Sequence, residues 1–236
     1  MKQPRRFPSL PTAAVVLTAV ICMVLLGFWQ LDRMHQKEQR LASIAQKSGE
    51  GAISLDALKP QQEDIRDYQV GFNGRAESNQ ILFLDNRVQN GKVGYEVLVP
   101  VQSTDGTVLV NFGWVAAPAL RSELPHVDLA QTYQHFHGRI SIPGHNPIVR
   151  ETLPFDASFP VVIQAVDLDF IRRLTGKSLL PYVVELTAPE QSEFIRDWQP
   201  VVMPPEKHFA YAIQWFGLAV AAAAVSYFSL ISNRKG

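Results

Sequence analysis

The stretch TAAVVLTAVICMVLLGFWQL, residues 12–31, contains no charged side chain and decides the class of fold. At a rise of about 1.5 Å per residue, a helix of this length reaches about 30 Å, the thickness of the hydrocarbon core of a bilayer. A second uncharged run, FAYAIQWFGLAVAAAAVSYFSLIS, covers residues 209–232 and is long enough to span a bilayer with some tilt. Two transmembrane helices are therefore predicted.

We interpret the first run as an uncleaved anchor rather than a cleaved signal peptide. The apolar core of a signal peptide covers roughly 7 to 15 residues and ends at a small-x-small cleavage site, which FWQLDR at residues 28–33 does not offer. A lipoprotein anchor at Cys22 would need a small preceding residue, where this chain has Ile21. Because Cys22 is the only cysteine, the region after the first span has neither an internal disulfide nor a Cys-x-x-Cys site.

Charge is divided unevenly along the chain, although 22 basic and 22 acidic residues cancel overall. Residues 32–208 hold 17 basic and 22 acidic side chains, a net charge of −5. This acidic region would repel phosphate, which disfavours a nucleic-acid-binding function. The ends are basic and contain no acidic residue; their five charges are Lys2, Arg5, Arg6, Arg234 and Lys235.

The basic ends predict the orientation in the membrane, because flanking segments rich in Lys and Arg stay on the cytoplasmic side. Only eleven residues precede the first span, too few for a mitochondrial presequence, so we expect a bacterial inner membrane. The predicted organisation is a cytoplasmic tail (1–11), a transmembrane helix (12–31), a periplasmic domain (32–208), a second transmembrane helix (209–232) and a cytoplasmic tail (233–236).

The region between the spans is predicted to be a β-rich α+β domain. Helical spacing continues beyond the first span through residues 31–45, and Gly49 ends that helix. Asn90-Gly91 is a strong hairpin signal and Thr-Asp-Gly at 104–106 marks a second turn, which together predict an antiparallel meander of three strands. The predicted strands are residues 68–72, 80–87, 93–101, 108–114, 133–142, 160–166 and 182–187.

Signatures of catalysis are scarce, and we predict that the protein is not an enzyme. The chain contains neither a Gly-x-Ser-x-Gly nucleophile elbow nor a His-Glu-x-x-His helix. The sequence TGKS at 175–178 resembles the end of a phosphate loop, but Ile171 replaces the earlier glycine. Asp167 and Asp169 are expected to cap and stabilise the start of a short helix that Gly176 ends, rather than to form a catalytic pair.

Four histidines in the β-rich part of the chain, between residues 126 and 145, raise the question of a metal site. In a strand, His135 and His137 would point to the same face, a geometry that can chelate. No cysteine and no obvious carboxylate partner is near them in sequence, so surface histidines on a solvated strand face are the favoured interpretation. The other two are His126 and His145.

The more suggestive side chains lie where the predicted domain meets the membrane. An interfacial aromatic belt, with a histidine that merely begins a helix, is one interpretation of these residue types. A porphyrin site is the other, because a neutral imidazole commonly ligates iron, tryptophan and tyrosine can flank the ring, and arginine can bind propionates. The residues are Trp29, Gln30 and Arg33 at the first span, and His208, Tyr211, Ala212 and Trp215, a stripe at i, i+3, i+4 and i+7, at the second.

Three motifs in order resemble the Surfeit locus protein 1 family, assembly factors for cytochrome c oxidase. LGFWQLDR at 26–33, with Lys37, resembles the family's Gly-x-Trp-Gln-x-x-Arg-x-x-x-Lys signature. GYEVLVP at 94–100 and VLVNFGWV at 108–115 resemble its central pair of strands. KHFAYAIQWF at 207–216 resembles its His-x-x-Tyr-Ala-x-x-Trp-Phe motif at the second span, and the two-span topology matches.

The resemblance implies a role in biogenesis of respiratory complex IV, helping to place heme a in the catalytic subunit of the oxidase. Bacterial members of the family are expected to bind heme a themselves, and the histidine implicated in that binding maps onto His208, a candidate axial ligand of the heme iron. Further pocket candidates are Trp29, Arg33, Tyr211 and Trp215. The implied partners are the oxidase catalytic subunit, heme a synthase and the lipid bilayer.

Some features depart from this interpretation or leave an alternative open. The family usually has arginine where this chain has Phe112, so the polar contact of that arginine is in doubt. Gly217 and Ala221, four residues apart, would allow close helix approach or docking on an oxidase subunit.

The alternative function is a cofactor-free membrane scaffold that holds oxidase subunits during assembly. A periplasmic sensor is disfavoured, because the short tails provide no cytoplasmic output domain.

Overall fold

The computed structural model describes residues 10–58, 64–120, 123–129, 134–144, 153–154, 156–187 and 193–235. The chain divides into a helical unit, made of residues up to Ser43 and from Gln199 onward, and a sheet unit, Ile44–Trp198. Each unit is described by itself. The predicted strand at 133–142 begins at residue 133, which lies outside the described ranges. His145 also lies outside them.

The helical unit contains most of α1 (Leu10–Gly49) and all of the C-terminal helix α3 (Pro205–Lys235). Both helices are long and apolar enough to cross a membrane, which agrees with the prediction of two apolar helices. The spacing beyond the first span also predicted the end of α1 at Gly49. Because both helices extend beyond the uncharged runs, their ends do not mark the membrane boundaries, and the predicted domain limits stay predictions.

The two helices of this unit approach each other closely at Gly27. A Cβ added to Gly27 would lie 2.5 Å from Cε1 of Phe216, so only glycine fits at this contact. The ring of Phe28 meets the ring of Phe216 edge to face, with centroids 5.3 Å apart. Gly217 has no atom within 4 Å of an added Cβ, and Ala221 is exposed, so this predicted small-residue pair does not make the close approach.

In the residues that the structure describes, the sheet unit contains the end of α1, a short 3-10 turn, seven strands and one short helix. The strand order is β1-β5-β7-β4-β3-β2-β6, and β1 also pairs with the end of β3, so that β1, β5, β7, β4 and β3 close into a barrel-like ring. The elements are the turn Leu55–Ala57, β1 (Gln69–Ala76), β2 (Leu82–Gln89), β3 (Lys92–Ser103), β4 (Gly106–Ala116), β5 (Gln134–Ser141), β6 (Val161–Ile163), α2 (Leu168–Thr175) and β7 (Leu179–Leu186).

Apolar side chains on the two faces of this curved sheet form two clusters. The larger cluster fills the ring and includes the fully buried Val97, Val99 and Val110. The smaller cluster lies beneath α2, where Ile171 packs with residues such as Leu98. Alternating side chains of β3 and β4 therefore contribute to both clusters, which explains why these two strands are buried over most of their length.

The predicted meander is confirmed, since β2, β3 and β4 are neighbouring antiparallel strands. Asn90 and Gly91 both have positive φ, 50° and 75°, as expected for a two-residue hairpin turn of type I′. Asp167 accepts hydrogen bonds from the backbone N–H groups of Asp169 and Phe170, and Gly176 ends α2 in the left-handed conformation, so the helix signals are confirmed too.

Candidate functional site

His208 lies in the first turn of α3, which begins at Pro205, a residue well suited to that position. The side chain is only 8% exposed. Its Nδ1 lies 2.8 Å from Oε1 of Gln30 on α1. An amide oxygen can only accept, so Nδ1 carries the proton and Nε2 carries the lone pair.

Nε2 of His208 is buried and has no hydrogen-bond partner among the described residues. A buried nitrogen without a partner costs free energy, and such groups in folded proteins require an explanation. Histidines that ligate a metal commonly donate their second ring N–H to a fixed acceptor, as His208 does to Gln30. The arrangement fixes the orientation of an imidazole whose second nitrogen is used by no described group.

A cavity of about 570 Å³, which we call the α1–α3 cavity, adjoins this histidine. Its volume falls within the range of small-molecule sites, roughly 300 to 1,000 Å³. One face of α1 contributes three basic side chains to the lining. Apolar groups come from α1 and from residues 200–203, so the lining suits an amphipathic ligand with negative charges. The lining residues are Trp29, Arg33, Gln36, Lys37, Arg40, Pro200, Val202, Met203 and His208.

Arg33 is held in place beside the cavity by its neighbours on α1. Its guanidinium lies 5.4 Å from the centroid of the Trp29 ring and donates to Oε1 of Gln36 at 2.8 Å. Gln36 in turn donates to a carboxylate oxygen of Asp32 at 2.8 Å. The chain of contacts orients one aromatic ring and one permanent positive charge toward the same cavity.

The structure brings Trp29, Arg33 and His208 of the sequence-derived set together around one cavity. Tyr211 and Trp215 do not line it, and Tyr211 is 45% exposed. Sequence reasoning did not identify Gln30 as the partner of His208. The available signal was a single polar residue in the last turn of an apolar run. The cavity residues that were also missed are Gln36, Arg40, Pro200, Val202 and Met203.

Comparison with known proteins identifies the family of this chain. The SURF1 family model matches residues 17–220. The chain belongs to the SURF1 family. This family is generally linked to oxidase assembly, and it is not a known enzyme family. The resemblance drawn from the three motifs is thereby confirmed.

Curated relatives match this SURF1 family member at low identity, and the first two below do so over about nine-tenths of the chain. A SURF1-like protein of Rickettsia bellii is 25% identical over 226 residues, which cover 91% of this chain and 88% of the relative. One of Rickettsia felis is 24% identical over 228 residues, covering 91% and 94%. A SURF1-like protein of Dictyostelium discoideum is 30% identical over 112 residues, covering 43% and 42%.

Phe112, the departure from the SURF1 pattern noted above, is a core residue of the sheet unit. Its ring is buried between Phe136 and Phe194, with centroids 6.1 and 5.8 Å away. Nε of Arg196 donates to the main-chain carbonyl of Phe112 at 2.7 Å, and burial lowers the pKa of this guanidinium. A guanidinium therefore does reach β4, but it belongs to Arg196 in the segment after β7, and it binds the backbone carbonyl of Phe112.

The stretch that resembles a phosphate loop has a structural role. Residues 175–178 form the end of α2 and the segment after it, where Nζ of Lys177 donates to Glu77 at 2.9 Å. Among the described residues, no group of three or more His, Cys, Asp or Glu side chains could hold a metal ion.

Proposed function

We propose that this protein binds heme a and stabilises it or delivers it to the catalytic subunit of cytochrome c oxidase. The observation that carries the proposal is the buried, unpartnered Nε2 of His208 beside the α1–α3 cavity. An iron centre is a natural partner for an imidazole nitrogen that is buried and deprived of hydrogen bonds. Membership of a family linked to oxidase assembly also supports this proposal.

The residues present fit such a group. Heme a would supply an iron that accepts a nitrogen lone pair, a large apolar ring and two propionate carboxylates. His208 would hold the iron through Nε2, while Gln30 keeps the ring in the required tautomer. Trp29 offers an aromatic surface, and Arg33 offers a charge-assisted hydrogen bond to a carboxylate.

The proposed location is a bacterial inner membrane, with both ends of the chain in the cytoplasm and residues 32–208 in the periplasm. The basic ends and the acidic region between the spans support this orientation. It is tested in a Cys22→Ser background, which contains no cysteine. A membrane-impermeant maleimide should label an Asn90→Cys variant in spheroplasts and a Lys235→Cys variant only after lysis. The reverse pattern would contradict the orientation.

The decisive experiment is purification from cells that produce heme a, followed by an absorption spectrum. We expect heme a in the wild type, loss of it in His208→Ala, and retention in His126→Ala, which removes an exposed histidine of the sheet unit. Equal heme a in the wild type and His208→Ala would overturn the ligand assignment.

The proposed partners are the oxidase catalytic subunit and heme a synthase, which tagged protein should capture. A cofactor-free scaffold is the competing function. Capture of the catalytic subunit without porphyrin absorbance in any preparation would favour the scaffold.

A further inference from the structure

The outer face of β1 and β5 carries a pair of histidines that the heme proposal does not use. His135 and His137 project from the same face of β5 and are both exposed. Their ring centroids are 4.4 Å apart, and the rings are nearly perpendicular. On the neighbouring strand β1, Asn73 pairs with His135 and Gly71 pairs with His137.

Gly71 leaves a space that both imidazoles border. A Cβ added to Gly71 would lie 3.3 Å from Nδ1 of His137 and 3.6 Å from Nε2 of His135. One nitrogen from each ring therefore borders the same small volume above the strand, together with Cε1 of His137. A side chain at this position on β1 would occupy that volume, and glycine keeps it open.

The hydrogen bond of His135 determines which of its nitrogens is available. Its Nδ1 lies 2.7 Å from Oδ1 of Asn73 and donates to that oxygen, so Nε2 keeps its lone pair toward the space above Gly71. A second-shell acceptor of this kind is typical of histidines that ligate metals.

The nearest basic side chain on the same strand does not oppose a bound cation. Arg139 is two residues beyond His137 on β5, and it is largely buried. Its guanidinium forms an ion pair with Glu185 and lies 4.0 Å from a carboxylate oxygen of Asp67. Two acidic groups therefore compensate this single positive charge.

We propose that His135 and His137 chelate a divalent transition-metal ion above Gly71. The class of metal follows from the donors, because imidazole suits Cu²⁺, Ni²⁺ and Zn²⁺, and Cu²⁺ binds most tightly in this series. With two protein ligands in the described chain, the remaining coordination positions belong to solvent, and the ion exchanges with the medium. The site lies in the sheet unit and is independent of the heme proposal.

The test is titration of the full-length, untagged protein with Cu²⁺, monitored by calorimetry and by electron paramagnetic resonance. The wild type should bind one Cu²⁺ through two imidazole nitrogens, which appear as a two-nitrogen hyperfine pattern. His135→Ala and His137→Ala should each abolish this signal. Asn73→Ala should weaken binding about tenfold, as loss of a second-shell partner does.

Two further variants separate the site from adventitious binding. Gly71→Ala keeps both histidines and fills the space between them, so it should also weaken Cu²⁺ binding. His126→Ala, which removes a different exposed histidine, should leave the stoichiometry and the spectrum unchanged. Circular dichroism checks that each variant is folded. Unchanged Cu²⁺ binding in either single histidine variant of the pair would overturn the proposal, whatever the heme content of the protein.

Discussion

Nδ1 of His208 lies 2.8 Å from Oε1 of Gln30, so the first turn of α3 is joined to α1 by a hydrogen bond that also selects the tautomer of the histidine. The two residues are far apart in sequence. Gln30 lies at the C-terminal end of the first uncharged run, and His208 directly precedes the second. The contact makes the lone pair of Nε2 dependent on a glutamine that does not itself line the α1–α3 cavity.

Replacing Gln30 with leucine should reduce heme a affinity about tenfold, which is the lower end of the effect of losing a second-shell partner of a metal ligand. Without the amide oxygen, Nδ1 of His208 loses its fixed acceptor, and either ring nitrogen can carry the proton. The measurement is heme a per protein, together with the Soret maximum of the purified complex.

Two matched variants make this result specific. Gln30→Glu retains an oxygen acceptor and should retain more heme a than Gln30→Leu. Gln39→Leu changes an exposed glutamine of α1 and should behave as the wild type. A Gln30→Leu protein with wild-type heme content and an unchanged Soret maximum would show that the hydrogen bond does not position the ligand.

Gly27→Ala should destabilise the packing of α1 against α3 by about 1 to 3 kcal/mol, the usual cost of overpacking. The added Cβ would lie 2.5 Å from Cε1 of Phe216, which forces the ring or a helix to move. Thermal unfolding in detergent measures the effect. Gly217→Ala is the control and should not lower the melting temperature, because its Cβ would meet nothing within 4 Å and alanine is a better helix former than glycine.

A second substitution tests the cause of that destabilisation. Phe216→Leu combined with Gly27→Ala should recover part of the lost stability, since the smaller side chain makes room for the new methyl group. If the double variant is as unstable as the sum of the two single variants, the Gly27–Phe216 contact is not the reason.

Local sequence signals predicted most elements of the sheet unit but not how they pair. Asn90-Gly91 requires positive φ at both positions of a turn, and Asp167 caps a helix start, so each signal acts within a few residues. The parallel pairing of β4 with β7 and the closure of β1 onto β3 join strands that are distant in sequence. No short-range pattern encodes these partners, because they depend on how the apolar faces assemble.

The location of the candidate site was also predictable from the sequence, but the packing of its side chains was not. Run lengths and charge predicted that His208 and Trp29 lie at the same membrane interface, and in the structure both residues line one cavity. A spacing of i and i+3 puts Tyr211 about 60° around the helix from His208, which is enough to expose it. The side of α3 that meets α1 carries Phe216, which contacts Gly27, and helical periodicity alone does not identify that side.

Acidification should remove a contribution to the stability of the sheet unit that depends on Asp64. Its carboxylate accepts two side-chain hydrogen bonds from Arg66, and this pairing lowers the pKa of Asp64 from 3.8 to about 2. The lowered pKa means that stabilisation is fully present above about pH 4 and is lost as the pH falls through about 2. The group is partly exposed, so the effect is small and weakens with added salt.

The measurement for Asp64 is the melting temperature of the wild type and Asp64→Asn between pH 5 and pH 2. The wild type should be the more stable protein at the upper end, and the difference should close at the lower end. Asp56→Asn, at the 3-10 turn, provides a second carboxylate for comparison. A difference that is constant across this pH range would contradict the role of the Asp64–Arg66 pair.

Arg33→Met should weaken heme a binding and leave the iron coordination intact, because the substitution removes a charge at the α1–α3 cavity but does not touch His208. Loss of one charge-assisted hydrogen bond, worth roughly 1.5 to 3 kcal/mol, corresponds to about a tenfold to hundredfold rise in the dissociation constant. Arg33→Lys keeps the charge and should bind more tightly than Arg33→Met. Heme titration gives the affinity, and the Soret maximum reports the ligand. If Arg33→Met shifts the Soret maximum as His208→Ala does, Arg33 acts on the histidine rather than on the carboxylates.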